Sequence, residues 1–428
     1  MSDNALHTAF FTLHHGLPRQ GPGSDATTRR LLALSPYAPG GRRGTPSPLP
    51  ERPRVLDLGC GPGRSALLLA AEAGAEVTAV DLHRPFLDEL RQAAEARGLG
   101  DRVRTVHADM GELPFADGSF DLVWAESSAY ALGFDTALSS WRRLLASPTG
   151  GTLVLTECEW TVDEPSPEAR AFWDEHYPLR TGRANTAAAV GGGYHVLGTV
   201  SQPESDWDEY YGPLAERADA ADPSLPGMAE ALAATRAELA MRRDHGGEYG
   251  YTGYVLRPAD TRWRTRPETA ADVRAVRDVN ATAFETRAEA DLVDALREDA
   301  GAWLPGLSFV AEAPDGSVAA HALITRCHVD GVPAAALAPV AVAPAHQRQG
   351  AGEAVVRAVL DAARLRGERL VLVLGHPEYY PRFGFERASA YGIKPSFDVP
   401  DEAMMALVLA GSGPVPPGTL RYPAAFGV

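Results

Sequence analysis

Val55-Leu56-Asp57-Leu58-Gly59-Cys60-Gly61-Pro62-Gly63-Arg64-Ser65 starts as an apolar run, passes through three alternating glycines, and ends where a new apolar-faced segment begins. The pattern predicts a short buried strand, a tight turn and a helix opening at Arg64–Ser65. Glycine accepts positive φ and lets a ligand come close to the backbone. The helix behind the turn, Ser65–Ala73, carries Leu67, Leu68 and Leu69 and points its positive end at the turn, which favours an anionic group. A dinucleotide-binding turn needs its last glycine five residues after the first. Arg64 stands there, which argues against NAD.

The same strand–helix rhythm continues. Strands are expected at Glu76–Val80, Val103–His107, Phe120–Trp124 and Gly151–Thr156, with helices at Pro85–Arg97 and Asp135–Leu145. Such alternation predicts a doubly wound parallel sheet. Its ligand site lies at the carboxyl ends of the strands, where Asp81, Asp109, Glu126 and Glu157 fall. Asp81 comes about 20 residues after the turn, the place from which an acid holds a ribose diol. Helix over 164–191, strand Tyr194–Val200, helix over 207–245 and strand Tyr249–Arg257 would complete seven strands, with the inserted helices capping the site. Ahead of the sheet, residues 5–34 read as two short helices around a Gly/Pro break. Pro36–Pro53 reads as a surface loop.

The block resembles class I S-adenosylmethionine (SAM) methyltransferases of the small-molecule type, over about Leu17–Arg257. Val55–Ser65, Val77–Asp81, Asp109-Met110 and Leu113-Pro114-Phe115-Ala116-Asp117-Gly118-Ser119-Phe120-Asp121 carry the resemblance. It implies a Rossmann-like seven-stranded sheet, with Asp57, Gly59, Gly61 and Gly63 at the methionine end of SAM and Asp81 on the ribose. It also implies the Asp109 carboxylate on the adenine amine and the Met110 backbone on a ring nitrogen. Phe11–Ser24 and Trp124–Tyr130 look like a subgroup of these enzymes. Glu126 is the first candidate for base or cation-holder, followed by Tyr130, His14 and Glu157. Tyr210 and Tyr211 either line a pocket on the cap or pack it.

At Pro258–Arg266 the pattern restarts. Helices are expected at Thr269–Ala283 and Glu285–Asp299, and a hairpin at Ser308–Glu312 and Ser317–Val329 about Pro314-Asp315-Gly316. Strand Ala335–Val342, loop Ala343–Gln349, helix Gly350–Arg366 and strand Leu370–Leu374 follow, then an aromatic segment ending at Phe385 and a Gly/Pro-rich tail opening at Gly411–Pro417. Gln347-Arg348-Gln349-Gly350-Ala351-Gly352 at a helix start makes a nest of backbone N–H groups for a pyrophosphate. With the strand before it and Tyr379-Tyr380-Pro381-Arg382-Phe383-Gly384-Phe385 after it, this half resembles the GNAT family of acetyl-CoA-dependent N-acetyltransferases, an α+β fold. The resemblance implies pantetheine pairing at Val340–Val342, a pyrophosphate cradle from Gln347 to Gly352 (Arg348, Gln349 and Gly350 included), and Tyr380 as the acid that protonates the departing thiolate. Gly375-His376-Pro377-Glu378 stands where the family commonly has an asparagine. Glu312, His321 and His328 are candidates for the base and also fit structural roles.

The expected domains are 1–258 and 262–428. The expected activity is bifunctional: a methyl group from SAM and an acetyl group from acetyl-CoA, passed to small molecules, the acetyl acceptor being an amine. A silent or regulatory acyl-CoA-binding half, or a non-catalytic sensor of both cofactors, are the alternatives. Forty basic against 56 acidic residues leave a formal net charge of −16, which argues against a nucleic-acid partner. Cys60, Cys158 and Cys327 match no metal or disulfide spacing. No leader and no apolar run of membrane length is seen, so a cytoplasmic protein with no membrane partner and no metal is expected, with a homodimer left open.

Overall fold

The computed structural model describes residues 2–38, 50–146, 151–260, 262–409 and 415–427. Residues 39–49 of the Pro36–Pro53 loop and 410–414 of the tail lie outside the described residues. The described chain divides into two units, one drawn from the chain up to Arg257 and one from Pro258 onward, with Gly193–Gly198 clustering with the second.

The first unit begins with α1 (Ser2–His14) and α2 (Asp25–Leu34). The Ser24 hydroxyl caps α2 by accepting from the Thr27 N–H, satisfying one of the donors a helix start leaves open. Then come β1 (Arg54–Leu58), α3 (Arg64–Glu72), β2 (Glu76–Asp81), α4 (Arg84–Ala96), β3 (Val103–His107), β4 (Leu122–Ala125), α5 (Phe134–Trp141) and β5 (Thr152–Trp160). The remainder is α6 (Pro167–His176), β6 (Arg180–Thr181), α7 (Gly182–Gly191), β7 (Tyr194–Ser201), α8 (Glu204–Ala220), α9 (Met228–His245) and β8 (Tyr249–Pro258). The sheet order is β3-β2-β1-β4-β5-β8-β7. β1 pairs in parallel with β2 and β4, β4 with β5, and β8 runs antiparallel to β5. Every residue of β4 and β5 is buried, as befits strands covered on both faces.

The seven expected strands are all present, with an eighth that was not expected. The predicted helix over 164–191 breaks at Tyr177, whose backbone is extended (φ −160°). Pro178 follows it, and a residue before proline is pushed out of the helical region. The freed chain forms β6 against β5, pairing Arg180 with Glu159. The cap is a cluster of α1, α6, α8 and α9 side chains on Cys158, Trp160 and Tyr249.

The second unit contains β9 (Arg264–Pro267), α10 (Val273–Ala283), α11 (Ala288–Glu298), β10 (Trp303–Glu312), β11 (Val318–Val329), β12 (Val332–Val342), α12 (Ala351–Arg366) and β13 (Leu370–Leu374). Four short strands end it: β14 (Glu386–Arg387), β15 (Ile393–Pro395), β16 (Met404–Val408) and β17 (Gly418–Arg421). The main path runs β14-β16-β13-β12-β11-β10-β9. Its ladders are antiparallel except for β12–β13. α12 buries Val355, Val356 and Val359 in the main core of this unit. Arg264–Arg266, expected as part of a restart segment, instead enters the sheet and pairs Arg264 with Glu312 and Arg266 with Val310.

Candidate functional sites

In the first unit the glycine turn is held in left-handed geometry, with φ of 64°, 51° and 84° at Gly59, Gly61 and Gly63. Only glycine adopts this at no steric cost. The space is also fully used. A Cβ on Gly59 would sit 2.4 Å from Ser128 Cβ and 3.2 Å from Met110 Cε, and one on Gly63 would sit 2.1 Å from Leu90 Cδ1. Asp81 holds the turn from below: its Oδ2 accepts from the Gly61 N–H at 2.9 Å and its Oδ1 from the His83 N–H at 2.7 Å. An ionised carboxylate has about four acceptor positions, so this tie leaves capacity for hydroxyls. Asp109 is exposed and accepts from the Gly111 N–H at 2.8 Å. The Met110 carbonyl accepts from Trp141 Nε1 at 3.0 Å.

Asp57, only 2% exposed, lies one residue before the end of β1, beneath the turn. Burial first, then the Glu126 and Asp81 charges, push its carboxyl up to about 8. Its Oδ2 is buried and has no hydrogen-bond partner among the described residues. Above it lies a cleft of about 50 Å³, partly open to solvent, lined by the turn, Asp57, Arg64, Glu126 and the segment Pro18–Pro22.

Arg19, on that segment, is the site residue the sequence did not single out. Its Nη1 donates to Glu126 Oε2 at 3.0 Å, and its Nη2 to Asp25 Oδ1 at 3.1 Å and Thr28 Oγ1 at 3.3 Å. Arg64 closes the network by donating to both oxygens of Asp25, at 2.7 and 2.9 Å. Glu126 also accepts from Thr28 Oγ1 at 2.7 Å and Trp124 Nε1 at 2.8 Å. Glu126, the candidate base or cation-holder, holds the Arg19 cation here: three donors occupy its carboxylate and its side chain is 6% exposed, so its oxygens are taken up in anchoring the N-terminal segment.

His14 is likewise not available. It is buried, with Nδ1 on the Phe10 carbonyl at 2.7 Å and Nε2 on the Tyr210 hydroxyl at 3.2 Å, and burial lowers its pKa. Tyr210 and Tyr211 are buried in the cap cluster, and the Tyr211 hydroxyl donates to Glu238 Oε1 at 2.7 Å. Tyr130, by contrast, is 53% exposed in the short turn Ala129–Ala131 after β4, edge-on to Tyr177 with ring centroids 6.2 Å apart. Glu157 is buried and accepts from the Tyr177 hydroxyl at 2.6 Å, and burial pushes its carboxyl up to about 7.

In the second unit β12 and β13 run side by side only at Ala335–Val371 and Ala336–Leu372. Further on, Val340 and Val342 pair with Ala322 and Ala320 of β11. Among the described residues no pair covers their other edge. The loop that follows turns at Arg348 (φ 58°) and Gly350 (φ 96°) before α12 begins. Gln347 Nε2 reaches back to the Val342 carbonyl at 3.3 Å, and the Gln349 carbonyl accepts from Trp263 Nε1 at 3.0 Å. A Cβ on Gly352 would lie 3.0 Å from Val342 Cγ2 and 3.1 Å from the Tyr379 hydroxyl. The first turn of α12, the tip of β12 and Tyr379 thus meet at one point.

Tyr380 is buried, its ring against Gly375 and edge-on to Phe385 at 5.8 Å. Burial pushes its phenol up to about 12, so it is a weaker acid than an ordinary tyrosine. Tyr379, next to it in the same motif, puts its hydroxyl nearer the start of α12; the paired tyrosines were a signal for either residue, and only packing separates them. The candidate bases fare worse. Glu312 is paired with Arg266 at 2.7 Å. His328 is exposed on β11, opposite Pro333. His321 is fully buried, with Nδ1 facing Asn280 Nδ2 at 3.0 Å and Nε2 facing Ser308 Oγ at 3.0 Å. Burial holds its pKa down at about 3, so it is a neutral strut.

Among the described residues no group of three or more His, Cys, Asp or Glu is set to hold a metal, and no helix is long and apolar enough to cross a membrane.

A family model for a methyltransferase domain matches residues 55–150, and one for the acetyltransferase (GNAT) family matches residues 273–385. The chain is 39% identical over 137 residues to an uncharacterized N-acetyltransferase of Escherichia coli, YjhQ, a stretch covering 31% of this chain and 75% of that protein. It is 41% identical over 151 residues to a demethylmenaquinone methyltransferase of Thermus thermophilus, covering 33% of this chain and 62% of that protein, under two thirds of its length. A solved GNAT N-acetyltransferase of Escherichia coli, YhbS in complex with CoA, is 29% identical, with a TM-score of 0.36 over 39% of this chain and 93% of that one. The chain therefore joins a methyltransferase domain to an N-acetyltransferase domain, and through the second it belongs to the GNAT family.

Proposed function

We propose that this chain is a two-headed transferase. Residues 1–258 pass a methyl group from SAM, and residues 262–428 pass an acetyl group from acetyl-CoA to an amine, both acting on small molecules. The observation that carries the reading is the pair of cofactor-shaped turns, Gly59–Gly63 over Asp57 and Asp81, and Gln347–Gly352 beside an uncovered edge of β12. In the first, the turn holds the left-handed backbone that glycine alone takes freely, and a buried Asp57 oxygen has no donor among the described residues. The ammonium of SAM's methionine end is a suitable donor for it. The Asp81 carboxylate takes the ribose hydroxyls, with Asp109 and Met110 at the adenine.

A sulfonium is already a good leaving group, so the protein has to orient the acceptor and relieve it of one proton. Tyr130, exposed in the turn Ala129–Ala131 after β4, stands on the acceptor side. In the acetyltransferase half, Val340 and Val342 hold the pantetheine arm, and backbone N–H groups from Gln347 to Gly352 face the pyrophosphate. Tyr380 serves as the acid for the thiolate, with the Tyr379 hydroxyl beside the first turn of α12.

Mass spectrometry of amines, phenols and thiols incubated with each cofactor separately, then together, tests the reading. Methylated products with SAM and acetylated amines with acetyl-CoA are expected. Binding of acetyl-CoA with no acetylated amine would make the second half an acyl-CoA-binding module.

A further inference from the structure

The chain between α1 and α2 is a strap laid across the glycine turn. It has a glycine with positive φ near each end, Gly16 (72°) and Gly23 (154°), and glycine absorbs a change of φ at little cost. Its middle, Pro18–Pro22, walls the cleft above Asp57. A Cβ on Gly61 would lie 3.2 Å from Gln20 Cγ, so the strap rests on the turn itself. One end is fixed by Arg19 on Glu126, by the Ser127 hydroxyl donating to the Pro22 carbonyl at 2.9 Å, and by the Gly23 N–H donating to the Asp206 carbonyl at 3.1 Å.

The other end is held by a pair of imidazoles. His15 Nε2 faces His83 Nε2 at 3.1 Å, and His15 Nδ1 lies 3.0 Å from Glu89 Oε1. The His83 ring is stacked on Phe11 of α1, with centroids 3.7 Å apart, and stands edge-on to Phe86 of α4 at 4.6 Å. Asp81 accepts from the His83 N–H and from the Gly61 N–H. The pair therefore ties the strap to the turn and to the acid behind it. His15 and Glu89 are only half-buried, so protons reach the pair from solvent.

Two facing ring nitrogens can hold one proton between them and no more. With both rings neutral, His15 donates from Nδ1 to Glu89 and accepts at Nε2 from His83 Nε2–H. One added proton is still accommodated: it sits on His15 Nε2, and His83 takes its other tautomer and accepts. A second puts an N–H on both facing nitrogens, and the bond becomes a contact between like charges. The other groups around the pair come from five elements. Glu89 of α4 and Asp81 of β2 are the anions, and His7 of α1 is a third ring whose charge acts on His83. Arg217 of α8 donates to the His15 carbonyl, and His107 of β3 meets the Leu82 carbonyl at 2.9 Å. Burial, and then the charge of His15, hold the His83 pKa below its ordinary value. Closure of the strap is thus favoured above the ordinary histidine range, and that contribution is lost as pH falls through and below it.

We propose that His15 and His83 form an acid-released clasp: while the pair holds, the strap stays closed over the methionine end of the bound cofactor, and protonation of both rings frees the strap and lets the cofactor go. The proposal rests on the first half binding SAM at the glycine turn.

S-adenosylhomocysteine is the probe, titrated calorimetrically into the full chain and into His83→Gln at about pH 7.5 and about pH 5, on either side of the ordinary imidazole pKa. A chelator is present so that no metal ion bridges the rings. Glutamine keeps a neutral donor toward His15 and has no proton to gain. Asp57 also titrates, but alike in both proteins, so the difference between them reads the clasp. At the higher pH the variant is expected to bind within about threefold of the parent, and its loss of affinity on acidification to be at least about tenfold smaller than the parent's. His15→Gln, measured the same way, replaces His83→Gln if a thermal melt shows that variant unfolded. Equal losses in the parent and a folded variant overturn the proposal, as does a parent that binds equally well at both pH values. Failure of the parent to bind S-adenosylhomocysteine at the higher pH overturns the SAM reading beneath it instead.

Discussion

Replacing Arg19 by methionine keeps most of the side chain's volume and removes its charge. Glu126 would then keep two neutral donors, Thr28 and Trp124, and lose its cation. Both members of the pair are sheltered, with side-chain exposures of 9% for Arg19 and 6% for Glu126. Breaking a buried pair from one side costs about 3–5 kcal/mol, because the remaining charge stays desolvated. The two neutral donors and the open cleft favour the lower end, about 3 kcal/mol. For a domain of this size that is roughly 6–12 °C in Tm. Glu126→Gln should cost less, about 1–2 kcal/mol, since Arg19 keeps Asp25 and Thr28. The double variant should lose clearly less than the sum, with a coupling of about 2 kcal/mol. Thermal melts of the three variants and the parent, followed by circular dichroism, measure the cycle. Additivity within about 0.5 kcal/mol, or a single-variant loss below about 1 kcal/mol, would refute the anchoring role of Glu126. So would a Glu126→Gln variant that melts normally, binds SAM, and has lost methyl transfer by about 10²-fold or more, because that is the signature of a base.

Asp57 is raised from its ordinary value to about 8. Between roughly pH 4 and 8 the unfolded chain has released this proton and the folded chain holds it, so stability falls as pH rises through that window; Asp57→Asn should melt with the parent near pH 4 and above it near pH 8, and equal melts at both would remove the shift. Gly59→Ala puts a methyl 2.4 Å from Ser128 Cβ at a φ of 64°. Calorimetry should show SAM affinity lowered by at least about tenfold, from left-handed strain of about 1–2 kcal/mol plus the clash, with acetyl-CoA affinity unchanged. Tyr380→Phe should slow acetyl transfer by about 10²–10⁴-fold with little change in CoA affinity; if Tyr379→Phe shows that loss and Tyr380→Phe loses less than about threefold, the acid is Tyr379, whose hydroxyl lies beside the first turn of α12.

Much of the fold could be read along the chain. The apolar runs of β1, β4 and β5, and the glycine turn after β1, announce a parallel sheet because each signal is local. A buried strand needs consecutive apolar residues, and a left-handed turn needs glycine where it turns. The same holds for β12, the Gln347–Gly352 loop and α12. Elements without a local signal were missed. β9 is Arg-Thr-Arg-Pro, an edge strand stabilised by Arg266 meeting Glu312 and Asp272. β6 is two residues long and exists because Pro178 ends α6 next to an open edge of β5. β14, β15 and β17 are two to four residues each and owe their pairing to neighbours far along the chain.

The sequence by itself determined the two folds, the two turns and the acid at Asp81, since each depends on residues within about 25 positions of one another. Which side chains are free to act was decided only by the tertiary structure. Glu126 is a candidate base or cation-holder by sequence, and only the fold puts Arg19, 107 residues away, on it. Tyr379 and Tyr380 are neighbours in sequence, yet one puts its hydroxyl by α12 and the other buries its ring on Gly375. Among the described residues Glu157 keeps one oxygen unpartnered, because Tyr177 reaches only the other. Availability depends on desolvation and on long-range hydrogen-bond partners, and neither is written in the order of residues.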